Sequence, residues 1–225
     1  MSDEHAAAVA PGLHPHRPEH VEVEVPDTSL DPELRARLRE CTVAIIGCGG
    51  LGSNVAEMLV RSGVGRLVLV DFDVVDERNL NRQFFFRDQI GMPKVIALAE
   101  NLRRIRSDVR LDTVQERASA ETLVGISRGA CAIVEAVDDA ATKAMIVNTA
   151  LERLPEIPLV TASGLAGYGS TNAIVTERMA DNLYVVGDLT SDVRDGHPLF
   201  ASRVMAAAAA QAHAVVRVLL GYPEP

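Results

Sequence analysis

The sequence predicts an α/β fold. The sheet is Rossmann-like, mostly parallel and doubly wound, with a C-terminal antiparallel extension and a closing helix. Three observations predict it. A β-branched apolar run at Thr42–Ile46 runs straight into the glycines Gly47, Gly49, Gly50 and Gly52. Leu51, Val55, Met58 and Leu59 then recur at helical spacing, and a second apolar run, Leu67–Val70, ends at Asp71. This is a strand, glycine turn, helix, strand and acid in order, the βαβ unit that binds nucleotides. Short buried runs continue to alternate with helical patterns as far as residue 162, which implies parallel strands with helices on both faces.

The elements follow in order. Residues 1–29 read as a flexible tail, rich in His, Pro, Glu and Ala, with a short strand expected at Val21–Val25. His5, His14, His16 and His20 read as solvated tail residues rather than a metal site. Residues 30–225 read as a single domain. Leu30, Leu34 and Leu38 are spaced four apart, so a lead-in helix capped by Asp31 is expected. Val95, Leu98, Leu102 and Ile105 share a helical face behind Pro93. Val109–Val114 is expected as a third strand, Ala120–Ile126 as a short helix and Ala132–Val137 as a buried strand. A helix from Ala140 to Leu154 and a strand at Leu159–Ala162 follow. After Gly164 the texture changes. GLAGYGS reads as a turn, Thr171–Thr176 as a strand, Gly187–Pro198 as a mobile polar loop and Ala201–Leu220 as an alanine-rich helix.

Composition bounds the function. The chain has 225 residues, is 48% hydrophobic and carries a net charge of −9. That charge argues against a nucleic-acid surface. The apolar runs are too short to cross a bilayer, and no secretory signal pattern is read at the start, so a cytoplasmic protein is expected. Cys41, Cys48 and Cys131 contain no CxxC pair, which argues against a four-thiolate zinc site.

Beyond Asp71 the pattern departs from that of a dinucleotide oxidoreductase. Asn79-x-x-Arg82-Gln83 follows the second strand, with Arg78 beside it, and Lys94 opens the next helix in Gly91-Met92-Pro93-Lys94. Glycines let backbone approach a phosphate, and a helix N-terminus offers it free N–H groups. A carboxylate at the position of Asp71 can accept bonds from ribose hydroxyls. Two cations and an amide can neutralise and orient a triphosphate.

With these residues in view, GCGGLGS, VDFDVVDERNLNRQ and GMPK resemble the enzymes that adenylate sulfur carrier proteins. These are of the ThiF and MoeB type, kin to ubiquitin-activating enzymes, and the likeness runs from about Leu38 to Gly221. It is nearest to the short, zinc-free thiamine-pathway branch. The resemblance implies Mg-ATP-dependent adenylation of the C-terminal glycine carboxylate of a ubiquitin-like carrier ending in Gly-Gly. It implies a homodimer, for which the apolar surface of the last helix is the expected interface. The expected site has Gly47, Gly49, Gly50 and Gly52 against the nucleotide and Asp71 on the ribose. Arg78, Asn79, Arg82 and Lys94 are assigned to the phosphates, with Gln83 buttressing Arg82. Asp138 is assigned to Mg²⁺, and Asp139 stands where relatives carry asparagine. Arg82, Lys94 and Asp138 form the catalytic set.

Two departures qualify the likeness. The zinc-binding CxxC pairs of the molybdopterin branch are absent, and no cysteine falls between Ala132 and Pro225. Cys131 is expected to be buried, and phosphate beside Cys48 would oppose thiolate formation. A separate sulfur donor is therefore expected. The RYxRQ arginine that some relatives insert into the partner's site is also missing, and Arg35, Arg37 and Arg39 are the candidates to replace it. The competing readings are a nicotinamide-dependent oxidoreductase, a non-catalytic binding half, and adenylation in another carrier or peptide-modification pathway.

Overall fold

The computed structural model describes residues 31–224. The expected strand at 21–25 and the tail histidines lie outside them. The first helix, α1 (Pro32–Glu40), opens as expected, with the Asp31 carboxylate accepting the Glu33 N–H at 2.8 Å. The glycine unit follows as β1 (Thr42–Ile46), α2 (Gly52–Arg61) and β2 (Arg66–Val70). Next come α3 (Lys94–Ile105), β3 (Arg110–Val114), α4 (Ala120–Ser127), β4 (Ala132–Glu135), α5 (Ala140–Arg153) and β5 (Leu159–Ala162). The chain closes with β6 (Val175–Ala180), β7 (Leu183–Gly187) and α6 (Ala201–Leu219).

The seven strands form one sheet in the order β3-β2-β1-β4-β5-β7-β6, parallel except for the β6–β7 hairpin. Alternation along each strand divides the core. Val43, Ile45, Leu67 and Leu69 face α2, α3 and α6, while Ala44, Ile46, Val68 and Val70 face α4 and α5. Strand order reverses between β1 and β4, so their carboxyl ends splay around a crevice.

Several expectations shift. The strand expected at Ala132–Val137 stops at Glu135, which puts Asp138 on the turn that follows. The strand expected at Thr171–Thr176 starts later. Ser170 caps a 3-10 turn at Thr171–Ala173, accepting the Asn172 N–H, and β6 begins at Val175. The sequence reading passed over β7 entirely, although LYVVG is an apolar run. Nothing in that run tells a strand that inserts beside β5 from a loop segment. Finally, α6 spends its apolar side inside the chain. Val204, Ala207, Ala208, Ala212, Val215 and Leu219 are all buried in the core shared with α2. Much of the surface expected to carry a homodimer is thereby used within the chain, while Met205 and Ala209 stay exposed. Among the described residues no helix is long and apolar enough to cross a membrane.

Candidate functional site

A cleft of about 620 Å³ opens at the β1/β4 reversal. Its floor is the glycine loop. Gly47 sits at φ +94°, and a Cβ there would meet the Ala136 carbonyl oxygen at 2.6 Å. The turn is thus pinned between two strands: Gly47 N–H donates to Val70 and Ala136 N–H to Ile46, both at 2.8 Å. Gly52, the first residue of α2, lies so close to Gly47 that a Cβ would fall 1.8 Å from the Gly47 carbonyl oxygen. Gly49 and Gly50 line the cleft.

Asp71 directly follows β2 and ties the loop down. Its carboxylate accepts Cys48 N–H at 2.7 Å and Asp73 N–H at 2.8 Å, one bond to each oxygen. Each carboxylate oxygen keeps capacity for a further donor, such as a sugar hydroxyl. Phe72 lies on the cleft wall with the Arg117 guanidinium stacked 4.0 Å over its ring, giving a flat, half-exposed face beside that carboxylate.

Cations approach from the segment between β2 and α3. Lys94 lines the cleft, its side chain only 7% exposed, and donates to Asp73 at 2.8 Å. Arg82 lies against Gly50 and donates to the Asn81 side chain at 2.8 Å. Both are on the cleft wall, as is Gln83. The Gln83 side-chain oxygen is buried with no hydrogen-bond partner. An orphaned acceptor on a cleft wall calls for a donor from ligand or water. No bond joins Gln83 to Arg82 among the described residues, so the buttress role is not what the geometry gives.

Two residues expected at the phosphates do not line the cleft. Asn79 is off the cleft wall. Its side-chain oxygen accepts Asp76 N–H at 3.0 Å and its carbonyl accepts Gln83 N–H at 2.9 Å, so it builds the turn that presents Arg82 and Gln83. Arg78 has an 88% exposed side chain paired to Asp76, which keeps it outside the cleft.

The opposite wall is the turn between β4 and α5. Asp138 and Asp139 both line the cleft. Asp139 caps α5, accepting Thr142 N–H at 2.8 Å and the Thr142 hydroxyl at 2.6 Å. The Thr142 bonds hold its carboxyl below the ordinary range. Its charge is committed to the helix rather than offered to a ligand. Asp138 has no bonded partner among the described residues. A magnesium ion bound to a nucleotide takes one or two carboxylates plus phosphate oxygens. Asp138 fits that role, and among the described residues no cluster of three or more His, Cys, Asp or Glu competes for a metal.

Sequence reading missed Lys143, also on the cleft wall, and its fully buried partner Glu135. The available signal was an acid inside the apolar run AIVEAV. It also missed Arg203, which reaches from α6 to Asp188 at the start of the polar loop. Burial works against the Asp188 charge, but bonds from Ser191 and Thr190 outweigh it and hold the carboxyl down at about 2.

None of the three cysteines lines the cleft. Burial, then the Asp71 charge, push the Cys48 thiol well up. Burial, then its neighbour Cys131, push Cys41 up to about 12. Cys131 is exposed rather than buried, because it precedes β4 at the amino edge of the sheet, where its N–H donates to Thr42.

A doubly wound sheet with a glycine loop, an acid directly after β2 and cations facing a carboxylate across the crevice defines a nucleotide-binding α/β protein. The chain belongs to the ThiF family, whose model matches residues 25–225. It is 35% identical over 149 residues to the sulfur carrier protein ThiS adenylyltransferase of Bacillus subtilis, covering 65% of this chain and 44% of that protein. It is 44% identical over 108 residues to ubiquitin-like modifier-activating enzyme 5 of Drosophila pseudoobscura pseudoobscura, covering 43% of this chain and 27% of that one. The match thus spans less than half the length of these curated relatives. Among solved structures, the E. coli tRNA N6-threonylcarbamoyladenosine dehydratase TcdA in complex with ATP superposes with a TM-score of 0.76 at 22% identity. That superposition covers 84% of this chain and 89% of that one. E. coli MccB with ATP gives a TM-score of 0.65 at 24% identity, covering 85% and 59%. At these identities the structural likeness speaks for the fold alone.

Proposed function

We propose that this chain uses Mg-ATP to adenylate the C-terminal glycine carboxylate of a ubiquitin-like sulfur carrier protein ending in Gly-Gly, releasing pyrophosphate. The observation that carries the reading is the grouping of Arg82 and Lys94 on one wall of a single cleft with Asp138 on the other and Asp71 between them. An oxidoreductase would leave those cations without a task. Thiamine thiazole synthesis is the proposed pathway, supported by the likeness to the Bacillus adenylyltransferase.

The chemistry asks little of proton transfer. The attacking carboxylate is already ionised near pH 7. Catalysis therefore rests on alignment and on neutralising charge at phosphorus. In this reading the glycine loop and the start of α2 hold the phosphates by backbone N–H groups. Asp71 and the Phe72–Arg117 face hold the nucleoside, and Arg82 and Lys94 draw charge from the phosphate chain. Asp138 would hold Mg²⁺, which screens phosphate charge when bound. With no thiol on the cleft wall, the acyl-adenylate passes to a separate sulfur donor. A homodimer belongs to the same proposal, resting on the family alone.

The experiment is carrier-dependent ATP–pyrophosphate exchange, with intact mass spectrometry of Gly-Gly-ended carriers. Arg82→Ala and Asp138→Ala are each expected to slow exchange at least ~10-fold, about 1.4 kcal/mol of barrier. Exchange that survives both changes undiminished would remove the site.

A further inference from the structure

Glu135 ends β4 and its residue is wholly buried, 0% exposed. A buried carboxylate is costly unless ion-paired and hydrogen-bonded, and an apolar residue of similar size is often as stable or better. What this one gains is connection. One carboxylate oxygen accepts Val137 N–H at 2.8 Å, inside the turn that carries Asp138. The other takes the Lys143 ammonium, from the first turns of α5, and the Thr161 hydroxyl of β5. Lys143 also donates to the Ala162 carbonyl at 3.1 Å, where β5 runs into the facing cleft wall.

The connection continues across the cleft. Ser163 N–H donates to Val186 at 2.8 Å, and the Ser163 and Gly164 carbonyls accept Leu189 and Asp188 N–H at 3.2 and 2.9 Å. Asp188 in turn pairs with Arg203. An unbroken set of bonds therefore runs from the turn of Asp138, through Glu135, to the polar loop that follows β7. Asp138 at one end lines the cleft, and the polar loop at the other end lines it through its residues Ser191, Asp192, Val193 and Arg194.

We propose that Glu135 is a positioning residue. It clamps the Asp138 turn to the β5–β7 wall, so that the part of the site that meets the nucleotide and the polar loop opposite move as one body. This deepens the adenylation reading, on which its use in catalysis rests. The clamp acts through Lys143 and Thr161 and touches no reacting atom.

The test is hydrogen exchange by mass spectrometry on the full chain, with Glu135→Gln and Thr161→Val, each alone and with Mg-ATP. Without nucleotide, Glu135→Gln is expected to speed exchange ~10-fold in peptides covering 136–142 and 186–190, leaving β1 and β2 peptides at wild-type rates. Thr161→Val keeps the Lys143 pair and is expected to loosen only 186–190. Mg-ATP is expected to protect both peptides in the wild type but only 136–142 in the variants. ATP affinity measured in EDTA is expected to stay within ~3-fold of wild type. Exchange that rises equally throughout the sheet would make Glu135 a contributor to global stability and overturn the clamp. So would unchanged rates in both peptides in both variants. Absence of any Mg-ATP protection in the wild type would sink the nucleotide reading instead, and the ligand-free rates would still decide the clamp.

Discussion

The glycine loop after β1 and the polar loop after β7 frame the same cleft from opposite sides, yet they are held by different forces. The first is fixed by close packing. Gly47 and Gly52 meet backbone where no side chain fits, and Asp71, at the end of the next strand, closes the turn. The second is fixed by charge. Asp188 gathers the N–H groups of Thr190 and Ser191 and the guanidinium of Arg203, and Leu189 sits at φ +59°, a left-handed backbone rare outside glycine. Arg203 also donates to the carbonyls of Gly169 and Ser170 at 2.6 and 2.9 Å, so one side chain of α6 orders two loops. Packing gives a site in which a single carboxylate, Asp71, is all that charge contributes to closing the turn. Charge gives one that can be loosened by titration.

Breaking the ion pair is the sharpest way to test that contrast. In Arg203→Met, Asp188 keeps its charge without its counterion. The side chains are only 3% and 12% exposed. Loss of one partner of such a pair typically costs about 3–5 kcal/mol. Urea denaturation should show this cost, and a variant as stable as the wild type would show that the pair is not what holds the loop.

Packing at the other wall is next in size. Gly52→Ala places a methyl 1.8 Å from the Gly47 carbonyl oxygen, so backbone must move. Overpacking of this kind costs about 1–3 kcal/mol, and ATP binding is expected to be lost with the loop geometry. Calorimetric titration with Mg-ATP checks it.

Acid should separate the two loops without a mutation. Asp188 has an ordinary value of 3.8 and is held at about 2 in the fold. A depressed folded value means that its contribution is complete above pH 3.8 and is lost as pH falls toward 2. Susceptibility to proteolysis in the 187–198 loop is expected to rise across that window, before any rise at residues 47–52. The Arg203→Met variant should show a shallower change, because part of what titration removes is already gone.

The smallest effect is expected at Asp139. Asn caps a helix about as well as Asp, so Asp139→Asn should change stability by less than ~0.5 kcal/mol. It should also leave the magnesium dependence of ATP binding unchanged. A large shift in that dependence would place Asp139 beside Asp138 in metal binding and undo its reading as a cap.

By itself the sequence determined the half of the molecule in which neighbours in the chain are neighbours in space. The glycine spacing, the β-branched runs and Asp71 specify a βαβ unit through local geometry; β1 has its expected bounds and β2 begins one residue before the expected Leu67. The position of Lys94 at the start of a helix was legible for the same reason. The tertiary structure alone decided what depends on distant partners. Asn79 and Arg78 are both bonded to Asp76 in the turn after β2, a contact that no periodic pattern announces. Much of the alanine face of α6 was taken up inside the chain, in the core shared with α2. The insertion of β7 beside β5, the burial of Glu135 against Lys143 and Thr161, and the pairing of Arg203 with Asp188 join residues that no periodic pattern connects. Periodicity records which face of an element is buried. It carries no record of which charge waits on the element opposite.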